Sequence, residues 1–103
     1  MKLNSVLAAL SVGLFVWTGP ASAAVDAPAA EALLKAEKCV KCHDAVKSKK
    51  GPSFKVTAAK YKAGPDAEAA LIKRLTAGSD DHEGIATKDA KAVKNLAEWI
   101  LAQ

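Results

Sequence analysis

The chain has 103 residues, half of them hydrophobic, a formal net charge of +4 and two cysteines. That length leaves room for one small domain and not for two cores. A single arginine and five aromatic residues, with no basic and aromatic residues interleaved, argue against a nucleic-acid surface.

The chain opens like an export signal. Lys2 supplies a short positive start, and residues 3–17 form an apolar run broken by Asn4, Ser5 and Ser11. Gly19-Pro20 ends the run, and Ala21-Ser22-Ala23 has the small-residue pattern at which signals are cut. The run is shorter than the roughly 20 apolar residues of a comfortable membrane span. Cleavage is expected after Ala23, with Ala24 as the next-best last residue, leaving a periplasmic domain of residues 24–103. No cysteine lies near the cut to carry a lipid anchor.

Asp26 is placed to cap a helix with Pro28 in its first turn and Glu31 well set for the helix dipole. This helix is predicted to run to about Lys38 and to deliver Cys39 at its C-terminal end. Ala30, Leu33, Leu34 and Cys39 form its apolar side. Residues 44–51 are lysine-rich and run into Gly51-Pro52, the pattern of a loop. Ser53 is expected to cap a short helix through Tyr61, and Gly64-Pro65 breaks the chain again. Asp66 then caps a third helix, in which Ala67, Ala70, Leu71, Arg74 and Leu75 keep helical spacing until Gly78 stops it. Residues 79–86 are polar and acidic and form a loop. Thr87 is expected to cap a last helix from Lys88 to about Ala102, with Ala92, Val93, Leu96, Trp99 and Ile100 on one stripe. No segment alternates with a strand period. The architecture reads as all-α, four short helices joined by loops.

The chemistry concentrates in Cys39-Val40-Lys41-Cys42-His43. Cys-x-x-Cys-His is the attachment signature of a c-type haem. Two thiols three positions apart can each add to one vinyl group of the same porphyrin, and the following histidine then lies under the iron. Other readings compete. A redox-active dithiol needs a βαβ setting, which a helical chain lacks. A zinc site built from Cys39, Cys42, His43 and His82 would force adjacent Cys42 and His43 into one tetrahedron, where they fit badly. A Cys39–Cys42 disulfide would close a tiny loop and stabilise little. A haem also answers a problem of size, because a domain of this length buries only roughly 60% of its unfolded surface and needs a staple.

Beyond the signal, the chain resembles a small bacterial class I cytochrome c along nearly its whole length. The matching features are the N-terminal helix leading into the cysteine motif, Gly51-Pro52-Ser53-Phe54, Tyr61, residues 71–75 and Ala97-Glu98-Trp99-Ile100-Leu101. The resemblance implies four helices wrapped around one haem c, attached through Cys39 and Cys42, with His43 as the proximal ligand. It also implies that the Pro52 carbonyl accepts the His43 ring N–H, a bond that fixes the tautomer and raises ligand basicity. The terminal helices should cross, bringing Trp99 near Leu33 or Leu34.

The chain departs from that family on the distal side, where relatives carry a proline-rich loop with a ligating methionine. The only methionine here is Met1, and residues 79–86 form a shorter loop without proline or methionine. His82, the only other histidine, stands in that loop and is the candidate distal ligand, with Gly84 allowing a tight bend. A solvated loop histidine, an open or water-filled position, and a lysine such as Lys88 are the alternatives.

A second imidazole in place of sulfur lowers the expected potential, since Met/His ligation raises it. It also keeps iron low-spin in both oxidation states, which suits a one-electron carrier. No nucleophile–base pair suggests a hydrolytic enzyme. The rival reading is a haem protein that binds CO, NO or O2 at an open or labile distal site. From Lys35 to Lys62 nine lysines face two acids, whereas beyond them five basic residues face seven acidic ones. Lys41, Lys47, Lys49 and Lys50 therefore read as a docking face for acidic redox partner proteins. The plainer reading is a solvated lysine surface.

Overall fold

The computed structural model describes residues 13–14 and 24–103. Apart from Gly13 and Leu14, the segment read as the export signal lies outside the described residues.

The described fold contains α1 (Ala27–Ala36), a 3-10 turn at Cys39–Lys41, α2 (Phe54–Lys62), α3 (Ala67–Ala77) and α4 (Ala90–Leu101). No strand forms among the described residues, which hold only two isolated bridge pairs, His43–Ser48 and Ser79–His82. The all-α expectation is met, and the element boundaries follow the capping groups.

Asp26 caps α1 by accepting from the Ala29 N–H at 3.0 Å. The helix ends at Ala36 and does not reach Lys38. Lys38 turns left-handed, with φ of 60°, so that the chain can tighten into the 3-10 turn that follows. Ser53 caps α2 as expected, its hydroxyl accepting from the Val56 N–H at 3.1 Å. Asp66 occupies the N-cap position of α3 but is left-handed and makes no side-chain capping bond. The last helix is capped by Asp89 and not by Thr87, so it starts two residues later than predicted. One Asp89 carboxylate oxygen accepts from both Lys91 and Ala92, a pairing for which an aspartate is better suited than a threonine. Thr87 is engaged elsewhere: its hydroxyl accepts from the Asp89 N–H at 3.3 Å, and its own N–H is taken by Glu37.

The core is one cluster of Ala30 and Leu34 from α1, Phe54 from α2, Leu71 from α3, and Leu96, Ala97 and Ile100 from α4. Helix α4 packs against each of the other three, and its buried Val93, Leu96, Ala97 and Ile100 stand at i, i+3, i+4 and i+7. Ala30 and Ala97 are both buried, and such small side chains let α1 and α4 approach closely. The same pair of helices is tied at the surface. Asn95 accepts from the Asp26 N–H and donates to the Asp26 carbonyl, both at 2.8 Å. Trp99 packs against the cluster that contains Leu34, with its ring edge-on to Phe54 at 5.5 Å.

Candidate haem-binding site

The cysteine motif is shaped by the turn that follows α1. The Cys39 carbonyl accepts from the N–H groups of Cys42 at 3.1 Å and His43 at 2.9 Å, winding the motif so that both thiols and the imidazole line one cavity. Both cysteines are free thiols and half-buried. Burial pushes the Cys39 thiol above its ordinary pKa, the reverse of the lowered thiolate of dithiol oxidoreductases.

His43 is fixed from three sides. Its Nδ1 lies 2.7 Å from the Pro52 carbonyl, which can only accept, so Nδ1 is the donor and, in the neutral ring, Nε2 holds the lone pair. The Phe54 ring stacks beside it at 5.6 Å. Gly51 passes so close that a Cβ there would collide with the imidazole. The loop that brings Gly51 and Pro52 back is itself ordered. Asp44 accepts from Val46 and Lys47, bonds that hold its carboxyl below the usual range, the Lys47 bond contributing most. The Gly51 N–H returns to the Cys42 carbonyl at 2.9 Å.

Opposite lies the loop after α3. Gly78 ends that helix with φ of 66°, and Ser79 and His82 exchange backbone bonds at 2.7 and 3.1 Å. Asp81 accepts from the Ser79 hydroxyl at 2.5 Å and from Arg74 at 3.4 Å, which together hold its carboxyl below the usual range, Ser79 most strongly. The Ile85 N–H closes the loop on the Leu75 carbonyl at 2.8 Å. Within this turn His82 Nδ1 is 2.8 Å from the Glu83 carbonyl, so in the neutral ring Nε2 again holds the lone pair.

The two imidazole centroids are 5.9 Å apart, with ring planes at 43°. A metal–imidazole bond is about 2.0–2.1 Å, so with roughly 1.1 Å from nitrogen to ring centre, two rings sharing one ion have centroids about 6.3 Å apart. The observed separation is a few tenths of an ångström shorter than that, and it also lies in the range of an ordinary contact between two rings.

Two adjoining cavities, of about 180 and 760 Å³, share Cys39, His43, Pro52, Arg74, His82 and Ile85. The smaller is walled by Leu34, Phe54, Leu71, Leu75, Leu96 and Ile100. Apolar walls, two free thiols at the right spacing and two imidazoles with open Nε2 atoms fit a haem. The competing chemistries do not fit. Among the described residues no group of three or more His, Cys, Asp or Glu side chains could hold a zinc ion, and no βαβ unit supports a dithiol site.

No family model matches the chain. Cytochrome c-551 of Pseudomonas aeruginosa is 33% identical over 108 aligned residues, spanning all of this chain and 99% of that protein. The chain is a small class I c-type cytochrome. Crystal structures agree. Class 1 cytochrome MtoD from Sideroxydans lithotrophicus ES-1 superposes with a TM-score of 0.65 at 40% identity, covering 77% of this chain and 97% of that one. An N64Del mutant of Nitrosomonas europaea cytochrome c552 gives 0.62 at 32% identity, covering 70% and 96%. As a cytochrome c, the protein carries one covalently bound haem c and transfers electrons with redox partners.

Within this cytochrome one cavity is lined by Cys39, Cys42, His43 and Pro52, named by the motif and the resemblance, and by His82, named by the departure from it. Sequence reasoning gave no site role to Gly51, Phe54, Arg74 and Glu37. The Gly51-Pro52 pair could have flagged the close approach to His43. Nothing local marks Glu37, whose partners are 49 and 50 residues away.

Proposed function

We propose that this cytochrome is a periplasmic one-electron carrier in which Cys39 and Cys42 attach the haem and His43 and His82 are its axial ligands. The observation that carries this reading is the 5.9 Å separation of the two imidazoles, each with Nδ1 engaged by a backbone carbonyl. Bound haem supplies a one-electron ferric/ferrous couple. The chain's own residues set its character. The carbonyls of Pro52 and Glu83 hold the two histidines in the Nδ1–H tautomer and fix the orientation of each ring. Leu34, Phe54, Leu71 and Leu96 give the smaller cavity an apolar wall. Two nitrogen ligands place the potential below that of Met/His cytochromes. Among the described residues no helix is long and apolar enough to cross a membrane, and residues 1–23 are assigned to an export signal cut after Ala23 or Ala24.

Holoprotein purified from the periplasm tests this reading. The expected result is the mass of the domain from residue 24 or 25 plus one haem, with a low-spin spectrum in both oxidation states and only slow combination of the ferrous form with CO. A high-spin ferrous spectrum that shifts at once with CO would replace His82 ligation by an open or labile distal site. Gas binding would then be the better reading, and the exposure of His82 on its loop is the one feature that favours it.

Docking is assigned to the face around the motif. Lys41, Lys47, Lys49 and Lys50 are exposed, and none is within 4.0 Å of a carboxylate among the described residues. Val40 and Val46, next to these lysines in the chain, are exposed as well. Substituting glutamine at Lys41, Lys49 and Lys50 together is expected to slow electron transfer with an acidic partner about tenfold at low salt, and little at high salt where screening already acts. An unchanged rate at low salt would move docking to another surface.

A further inference from the structure

We infer that Glu37 is a positioning residue for His82, a clasp that sets how readily the distal ligand leaves the iron; the inference rests on the bis-histidine reading above. Glu37 closes α1, its N–H bonded to the Leu33 carbonyl at 2.9 Å, and stands two residues before Cys39. Its half-buried side chain lines the larger cavity and reaches the far limb of the distal loop. Oε2 accepts from the Ala86 N–H at 2.8 Å and Oε1 from the Thr87 N–H at 3.0 Å. Each carboxylate oxygen thus takes one backbone donor, the charge-assisted, two-point arrangement that holds position as well as energy.

The loop needs such a hold. On its incoming side it grows from α3 through Gly78, and the Ser79–His82 turn and Asp81 contacts are all internal to the loop or made to α3. On its outgoing side Ile85 returns to Leu75, again on α3, and Ala86 and Thr87 are then held by Glu37. Glu37 is therefore the side chain through which the half of the protein bearing Cys39 and His43 grips the loop bearing His82. Without it the hydrogen bonds that tie residues 79–86 to the rest of the protein would be those to α3, and openings that carry His82 away from the iron would cost less.

The test compares holoprotein of the parent with Glu37→Gln, Glu37→Ala, His82→Ala and Asn95→Ala. Glutamine keeps the shape and one acceptor but turns a donor toward the second N–H, so it breaks the clasp even if the alanine variant folds poorly. Asn95→Ala cuts a different long-range tether, between α1 and α4, and reports a general loss of stability. The expected result is faster hydrogen exchange at Ala86 and Thr87 in both Glu37 variants. CO should combine with their ferrous forms about tenfold faster than with the parent, the factor given by roughly 1.4 kcal/mol of lost anchoring. Asn95→Ala should lower the melting temperature and leave the CO rate unchanged. If His82→Ala binds CO rapidly while the Glu37 variants match the parent, the clasp is refuted and the ligation stands. If the parent already binds CO as fast as His82→Ala, the ligation fails and the clasp fails with it. Equal CO acceleration in Asn95→Ala would reduce Glu37 to a structural role and also overturn the inference.

Discussion

Replacing His82 with methionine is expected to raise the reduction potential by on the order of 0.1 V or more, within the roughly 0.8 V that axial ligands span. The reason is the ligand atom. A thioether is a softer and weaker donor than an imidazole, so it supports the ferrous form relative to the ferric one. The loop can present either side chain, because His82 is held by backbone bonds with Ser79 and by the Asp81 contacts beside it, and these do not depend on the residue at position 82. A potentiometric titration of the two holoproteins reads the shift. A potential equal to the parent's would mean that residue 82 does not touch the iron. His82→Ala separates the two halves of the argument, since removing the ligand without replacement should give a high-spin ferrous form open to CO.

Substituting alanine for Gly51 is expected to disturb the proximal side as strongly. A Cβ at this position would lie 2.7 Å from Nδ1 and 2.9 Å from Nε2 of His43, and closer still to the carbon between them. The backbone has no easy retreat, because the Gly51 N–H is bonded to Cys42 and its carbonyl accepts from Lys49. The imidazole must therefore move, lengthening its bond to Pro52 and tilting Nε2 away from the distal histidine. Overpacking of this kind costs about 1–3 kcal/mol, and in a domain of 60–100 residues that lowers the melting temperature by at least about 5 °C. Gly64→Ala is the comparison, since the nearest atom to a Cβ there is the Tyr61 carbonyl oxygen at an ordinary 3.7 Å. A Gly51→Ala holoprotein with the parent's ferric spectrum and melting temperature would overturn this account of the proximal side.

Much of this protein was legible before any fold was known, and the legible parts share a short range. Cys39, Cys42 and His43 announce their chemistry within five residues. Ser53 caps the helix that begins beside it, Asp26 does the same for α1, and the stripe on α4 repeats within two turns. The errors were also local. Thr87 and Asp89 are both reasonable caps two residues apart. The choice between them rests on how Asp89 reaches the first turn and on Glu37 taking the Thr87 N–H from across the molecule. Lys38 offered helix propensity but adopts a left-handed turn, because the chain must wind into the 3-10 turn at Cys39.

The sequence by itself therefore determined the cofactor class, the all-α architecture and the names of two candidate ligands, His43 and His82. These depend on residue types and on spacings shorter than a few helical turns. Only the tertiary structure decided that His82 comes within 5.9 Å of His43, that Gly51 lies against the proximal ring, and that Glu37 holds the distal loop. His43 and His82 are 39 residues apart and Glu37 and Ala86 are 49 apart. Contacts at such separations leave no periodicity or motif in the chain, because they arise only when α1, α3 and α4 close on a shared apolar core.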